Sequence, residues 1–138
     1  MSGNGESLVD AAVSRMNGES YTLSFTAEKK LFPLEDLDAT ATLQVLAWAG
    51  TEVWIKEARS VWSKTWDLMV VVMKQSDDTN AELGPLMQTV EDIKGDISAQ
   101  KLDGKHCAEL IHDRPYDLDQ FNSDGVFISI VTFRFKGF

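Results

Sequence analysis

Two histidines and one cysteine are the side chains in this sequence best suited to metal binding or covalent catalysis. His106 and His112 lie six residues apart, so in a strand they would share a face at a separation of about 20 Å, too far for one metal ion. Cys107 is the only cysteine, which excludes an internal disulfide and fits a reducing cytoplasm. Because it lies in an alternating segment, we expect a small buried hydrophobe rather than a nucleophile.

The acidic segment Asp113–Gly125 raises the question of a calcium site. Asp117 and Asp119 have the spacing of the first two ligands of a helix–loop–helix calcium loop. The pattern then fails, because Phe121 stands where a third oxygen ligand belongs and Asn122 stands where glycine belongs. We therefore predict a solvated loop without a metal ion.

Other signatures of catalysis are missing from the sequence. It contains no phosphate-binding glycine loop, no Gly-x-Ser-x-Gly elbow and no Cys-x-x-Cys pair, so we expect neither an enzyme nor a bound cofactor. The net charge of −9 disfavours sequence-independent binding to nucleic acid, because an acidic surface repels phosphates. The first residues show no basic region followed by an apolar run, and we expect no secretory signal.

The most hydrophobic element is the stretch Thr65–Lys74. Trp66, Leu68, Val70 and Val72 alternate with Asp67, Met69, Val71 and Met73, so both faces of a strand here would be largely apolar. Such a strand belongs in the middle of a sheet with cover on both sides. We expect the helix from about Pro85 to Ile97 to cover one face, and a partner subunit or second layer to cover the other.

The remaining elements follow from hydrophobic periodicity and turn residues. The sequence predicts one helix over 7–16, ended by Asn17-Gly18, and a second from a capping-box position at Thr79 or from Pro85 to Ile97. The predicted strands are 21–27, 42–48 (stopped by Ala49-Gly50), about 53–57 (followed by a bend over 58–63), 65–74, 105–112 and 126–136. Between 51 and 64 helical and strand periodicities compete, and the strand is favoured by branched and aromatic residues.

These elements predict the α+β class, with a mostly antiparallel, mixed sheet of about five strands. The N-terminal helix and the longer amphipathic helix would pack on that sheet. A chain of 138 residues suits one domain, here residues 1–138, with residues 1–5 expected to be disordered.

All four tryptophans lie within one short part of the chain, at Trp48, Trp54, Trp62 and Trp66. Packing within the sheet explains such a cluster. A subunit interface explains it equally well, because tryptophan is enriched among the residues that anchor protein interfaces. Both interpretations remain open from the sequence.

Taken in order, the chain resembles the tail terminator (tail completion) proteins of siphovirus-type bacteriophages. The resemblance covers nearly the whole chain and lies in layout and local signatures. These are Phe32–Asp38 after the first extended segment, Arg59 before the apolar strand Trp66–Met73, the helical Val90-Glu91-Asp92-Ile93, a loop with Tyr116, Asp117 and Phe121, and the closing strand that begins Val126-Phe127-Ile128-Ser129. The tryptophan cluster and Gly84-Pro85 do not map onto that family.

The resemblance implies an α+β subunit that self-associates into a hexameric ring in the virion tail or neck, assembled in the host cytoplasm. The ring would stop polymerisation of the tail tube protein and join the head–tail connector protein, with DNA passing through it and without catalysis, sequence-specific nucleic-acid recognition or membrane contact. A head-to-tail ring needs two different patches on each subunit. For subunit contacts we expect the stretch 54–66 and the helix 85–98, with Trp54, Trp62, Trp66, Leu86 and Met87. For contacts with the tube or connector we expect the loops 75–80 and 113–124, with Asp77, Asp78, Asp117 and Asp119.

Two alternatives remain. A head completion or other neck protein of the same virion class would have a similar size and fold. A small ligand-binding or hydrolytic α+β domain would place tryptophan and phenylalanine around a pocket, with the histidines and the acidic loop forming a polar site. The absence of a paired acid, base or nucleophile at recognisable spacing argues against that second alternative.

Overall fold

A computed structural model describes residues 4–29, 43–59, 61–75, 79–112 and 126–137 of the chain. The α+β class is confirmed: the described residues form two helices on a six-stranded curled sheet, slightly more than the expected sheet of about five strands. The strand order is β1-β2-β3-β6-β5-β4; β1 and β2 are parallel and every other pair is antiparallel. The elements are α1 (Asn4–Gly18), β1 (Ala27–Lys29), β2 (Gln44–Ala58), β3 (Val61–Gln75), α2 (Thr79–Ser98), β4 (Lys101–Leu102), β5 (Lys105–Ile111) and β6 (Val126–Gly137).

The apolar strand β3 lies in the middle of the sheet, between β2 and β6, as its two hydrophobic faces predict. One face carries Trp66, Leu68, Val70 and Val72, which pack with the buried stripes of α1 and α2 and with the phenylalanines of β6. The opposite face forms a second, smaller cluster of Leu46, Trp48, Val71 and Met73, against which Met69 and Ile128 pack.

Asp67 is the one carboxylate on the second face of β3, and β6 supplies its counter-charge. The side chain of Asp67 is buried, and its oxygens accept hydrogen bonds from Arg134 Nε and Nη2 at 3.0 and 3.4 Å. Because a buried carboxylate is costly without such a partner, this pair explains how the apolar strand tolerates an acid. The same contact raises the pKa of Arg134.

The helices match the predicted stripes but are longer than predicted. α1 begins at Asn4, within the segment expected to be disordered, and ends at Gly18; Leu8, Val9, Ala12 and Met16 are buried. α2 begins at Thr79, the capping-box position, and Pro85 lies inside it. The carbonyl oxygen of Pro85 accepts a hydrogen bond from the Thr89 hydroxyl at 2.8 Å.

The predicted strand over 21–27 is wrong for all but its last residue. Residues 21–26 pair with no described strand, and β1 begins only at Ala27. Side chains of α2 occupy the backbone donors instead: Asp92 accepts from the Thr22 N–H at 2.9 Å and Thr89 from the Leu23 N–H at 3.1 Å. Tyr21, Leu23 and Phe25 still pack half-buried against the helical core, which accounts for the alternating pattern.

Three further strand boundaries differ from the prediction. β2 continues through Ala49-Gly50 to Ala58, and β3 already begins at Val61, within the bend expected over 58–63. β5 ends at Ile111 and carries a register shift between Cys107 and Glu109. The short strand β4 was not predicted; the turn that follows it, Asp103-Gly104, has φ angles of 51° and 74°, the left-handed conformation favoured in tight hairpins. The segment Phe32–Asp38 lies outside the described residues.

Asp96 on α2 joins both helices to the segment before β1. Its carboxylate accepts hydrogen bonds from Arg15 Nη2 at 2.8 Å and from the Tyr21 hydroxyl at 2.7 Å. Burial alone would raise the pKa of Asp96, but the hydrogen bonds from Arg15 and Tyr21 outweigh it and lower the pKa below its usual value. The carboxylate therefore stabilises the fold above the unfolded-state pKa of about 3.9, and this contribution is lost as the pH falls further, through the folded-state pKa.

Replacing Asp96 with asparagine is expected to lower the free energy of unfolding at neutral pH by about 1.5–3 kcal/mol, the range for hydrogen bonds to charged groups. The variant should also lose less stability on acidification below about pH 4 than the unaltered chain does. Urea unfolding at neutral and acidic pH measures both effects. Glu91→Gln on the same helix is the control, since Glu91 is half exposed and forms an ion pair with Lys94 three residues away on the same helix. Equal acid sensitivity of the Asp96 variant and the unaltered chain would contradict the assignment.

A candidate protein-interaction surface on the β2–β3 arm

The outer parts of β2 and β3 extend beyond the rest of the sheet as a two-stranded ribbon. β1 pairs only with Val45–Ala47 of β2, and β6 pairs with β3 only from Lys64 onward. We call residues 50–64 the arm; of these, Ser60 lies outside the described residues. The arm starts at a register shift between Ala49 and Glu52. There a side chain on Gly50 would place its Cβ 3.1 Å from Met69 Cγ, so glycine allows the strands to approach.

The arm concentrates the exposed large hydrophobic side chains of the described residues. Five of the six lie in it, between 40% and 54% exposed: Val53, Trp54, Ile55, Val61 and Trp62. The sixth is Ile130 on β6, at 37%. Exposed apolar side chains that cluster in this way indicate a candidate site of contact with other proteins, whereas single exposed hydrophobic residues need no explanation.

One face of the arm combines tryptophan with lysine. The strand register places Trp54 opposite Lys64 and Lys56 opposite Trp62, all on the side of Trp66. The two indole rings lie 6.2 Å apart, Lys64 Nζ lies 4.0 Å from the centroid of Trp54, and Lys56 Nζ lies 5.8 Å from the centroid of Trp62. We call these four residues the tryptophan face. Its side chains hold one another in place through cation–π contacts.

The base of this face is fixed by Glu52. Its Oε1 accepts hydrogen bonds from the indole nitrogens of Trp54 at 2.9 Å and Trp66 at 2.6 Å. Trp66 is buried, and Lys105 Nζ lies 4.7 Å from its ring centroid while also bonding the Asp103 carboxylate at 2.7 Å. Trp54 is therefore held in its orientation by a carboxylate that is tied to the core.

The opposite face of the arm is aliphatic. Val53, Ile55 and Val61 lie on it, since they alternate with the residues of the tryptophan face. We call these three the aliphatic face. An isolated two-stranded ribbon is at best marginally stable in water, even with apolar side chains on both faces. The arm thus has two chemically different surfaces available for contact.

The arm also differs in charge from the rest of the chain. It contains three basic residues (Lys56, Arg59 and Lys64) and two acidic ones (Glu52 and Glu57), which gives it a net charge of +1. Because the whole chain has a net charge of −9, the residues outside the arm sum to −10. A weakly basic arm on a strongly acidic protein is complementary to an acidic surface, and another copy of this chain has one.

The structure separates the predicted interface residues into two groups. Trp54 and Trp62 are exposed on the arm, whereas Trp66 and Leu86 are buried in the core of the single chain and Met87 is half-buried against that core. Trp48 is buried on the second face of the sheet. Asp77, Asp78, Asp117 and Asp119 lie outside the described residues, as does the acidic loop considered for calcium.

The candidate groups for metal binding and catalysis are dispersed in the structure. His106 is exposed, and His112 Nε2 lies 2.7 Å from the Ser129 hydroxyl. Cys107 is half-buried, and burial raises the pKa of its thiol. Within the described ranges there is no cluster of three or more histidine, cysteine or acidic side chains that could hold a metal ion.

A groove of about 540 Å³ lies where β1 meets β2, away from the tryptophans. It is lined by Ser24, Phe25, Thr26, Glu28, Leu43, Gln44, Val45 and Leu46. Phe25 is the one aromatic residue among these described lining residues.

Comparison with known proteins gives no family for this chain. Neither a scan against protein-family models nor a search of curated proteins found a match. Among the described helices, none has the length and apolar character needed to span a membrane.

The sequence identified the tryptophans of the arm but not the arm itself. Ala49-Gly50 resembles a strand end, although here it is a point of close approach within a longer strand. The available signal was the presence of branched and aromatic residues on both sides of Ala58–Ser60, which is typical of a hairpin.

Proposed function

We propose that the protein is a structural virion protein that forms a ring at the head-proximal end of a phage tail, ends polymerisation of the tail tube and joins it to the head connector. The observation that carries the proposal is the arm, a projecting ribbon with exposed apolar side chains on both faces. Such a surface is suited to assembly with other protein subunits.

The α+β fold supports the proposal because it is the fold that the resemblance to tail terminator proteins implies. The order of elements, with a helix before the sheet and a second helix after the apolar strand, also agrees with that resemblance.

In the proposed ring the arm is one of the two patches that a head-to-tail contact requires. The second patch is the outward side of α2 on the neighbouring copy, around Met87 and Gln88, with carboxylates at Glu91 and Asp92. Lys56 and Lys64 beside the tryptophans complement these acids. Trp66 and Leu86 support the two patches from within the core and do not contact the neighbour.

Deletion of the gene from the phage tests the function. Because an unterminated tube keeps adding subunits, we expect tails longer than normal and of variable length, measured by electron microscopy of negatively stained lysates. Complementation with the intact gene should restore a uniform length and a ring at the tube end. Headless tails of normal length would contradict the proposal and indicate a head completion or neck protein instead.

A further inference from the structure

Among the described residues, no strand pairs with the outer edge of β2 along the arm. Within the described ranges, β1 covers this edge only at Val45–Ala47, and no described strand pairs with it over residues 50–58. An open edge presents unpaired backbone N–H and C=O groups, and it accepts another extended segment as an additional strand.

The sequence of this edge is complementary to itself in the antiparallel direction. If two copies align with Trp54 opposite Trp54, then Glu52 of each copy lies opposite Lys56 of the other. In the same alignment Val53 lies opposite Ile55, so aliphatic side chains meet on the aliphatic face and tryptophans meet on the tryptophan face. Opposite charges, aromatic pairs and branched pairs directly across a ladder are each stabilising.

Neighbouring alignments lack this match. With the centre moved to Ile55, Trp54 lies opposite Lys56 and Val53 lies opposite Glu57. With the centre moved to Val53, Glu52 lies opposite Trp54 and Ile55 lies opposite Thr51. The favourable alignment is also centred on the open stretch, because 54 is the midpoint of 50–58.

We propose that two copies of this chain pair through the arm, with the β2 edges antiparallel and a two-fold axis at Trp54. Each copy contributes Glu52 to one ion pair and Lys56 to the other. Glu52 can accept the lysine while keeping its two indole hydrogen bonds, since a carboxylate has about four acceptor sites. The contact is two-fold symmetric, and the two β2 edges cover each other.

This two-fold contact differs from the head-to-tail contact of the proposed ring and does not depend on it. It is the state expected of the free chain, whereas the ring is expected on the tube. The inference therefore holds for any role of the protein in which the arm is exposed.

A charge-swap experiment tests the pairing. Glu52→Lys alone places lysine opposite lysine at both sites, and Lys56→Glu alone places glutamate opposite glutamate. We expect each variant to raise the dimer dissociation constant roughly 10-fold or more, because directly opposed like charges are destabilising. The double variant Glu52→Lys/Lys56→Glu should restore the dimer. An equimolar mixture of the two single variants should also dimerise, because in the mixed pair both sites again hold opposite charges.

Size-exclusion chromatography with light scattering measures these states, with the dimer at twice the chain mass of 15.4 kDa. Circular dichroism checks that each variant is folded, since Glu52→Lys also removes the two indole hydrogen bonds. The proposal is overturned if the unaltered chain stays a monomer, or if the mixture does not dimerise while the unaltered chain does.

Cross-linking tests the same register without altering Glu52. In a Cys107→Ser background, Trp54→Cys places two cysteines directly opposite each other across the two-fold axis. We expect mild oxidation to yield a covalent dimer on non-reducing gels. Thr51→Cys is the matched control, since Thr51 lies opposite Glu57 in this alignment and far from its own copy. Equal cross-linking at both positions would show that the contact is not the one proposed.

Failure of this pairing and failure of the proposed function have different signatures. If the free chain does not dimerise, the pairing is rejected, and tail length in the deletion mutant still tests the terminator function. Conversely, if the charge-swap variants dimerise as expected while the deletion mutant makes tails of normal length, that result supports the pairing and contradicts the proposed terminator function.

Discussion

Replacing Trp54 and Trp62 together with serine is expected to abolish the ring at the tube end and to produce tails of uncontrolled length. Both indoles are exposed in the single chain, and tryptophans at the centre of an interface typically contribute 2 kcal/mol or more each to binding. A loss of about 4 kcal/mol at every contact lowers each association constant about a thousandfold, and a closed ring contains several such contacts.

The same variant should remain folded. Because the two side chains are 49% and 41% exposed, their removal costs partial burial, the cation–π contacts with the two lysines and the hydrogen bond from Trp54 to Glu52. We therefore expect the free energy of unfolding to fall by about 1–2 kcal/mol. Electron microscopy of tails from complemented deletion cells measures the ring, and thermal unfolding measures the fold. Ile130→Ser is the matched control, since Ile130 is the exposed large hydrophobic residue found on the described surface outside the arm.

Uniform tails with the double tryptophan variant would show that the arm does not form the ring contact. Irregular tails with Ile130→Ser as well would show that the second face of the sheet also takes part. In either case the unfolding data separate a loss of assembly from a loss of structure.

The sheet and its core could be predicted because hydrophobic periodicity records which face of an element is buried. The apolar alternation of Thr65–Lys74 identified the central strand, and the stripe Leu86, Val90, Ile93 and Ile97 identified the helix that covers it. Such patterns arise from burial alone, whatever element covers them.

The errors occurred where a side chain, rather than a neighbouring strand, determines the backbone. Residues 21–26 alternate like a strand, yet hydrogen bonds from their backbone to Asp92 and Thr89 hold them against α2. Those partners lie about 70 positions away in the sequence, and nothing local indicates them. The same limit applies to Gly50, whose close contact with Met69 is visible only once β2 and β3 are paired.

The arm shows how far the candidate site could be predicted from the sequence. The sequence places four tryptophans close together but cannot say which are buried, because burial depends on how far β6 and β1 extend along their neighbours. Trp48 and Trp66 lie within the covered part of the sheet, and Trp54 and Trp62 lie beyond it. Thus packing within the sheet accounts for Trp48 and Trp66, and the subunit-interface interpretation stays a prediction for Trp54 and Trp62.

The largest expected loss of stability follows from truncating Phe133 in the helix-side core. Phe133 is fully buried on β6, between Leu68 of β3 and Leu110 of β5 in the sheet register. Phe133→Ala leaves a cavity beneath the helices, and such changes typically cost about 3–5 kcal/mol. Since whole domains are stable by about 5–15 kcal/mol, this is a large share of the total, and partial unfolding at 37 °C is expected.

Ile130→Ala is the matched control, because it removes an apolar side chain from the same strand on the opposite, partly exposed face. We expect a cost of about 1 kcal/mol there, because the side chain is already in contact with water. Urea unfolding of both variants, with an unchanged slope, measures the difference through the midpoint. If Ile130→Ala costs as much as Phe133→Ala, the two faces of β6 are buried equally, and the helices cover only one of two equivalent cores. A large difference would instead show that the cluster on the helix side of the sheet supplies most of the stability that β6 contributes, and that the arm is not needed for it.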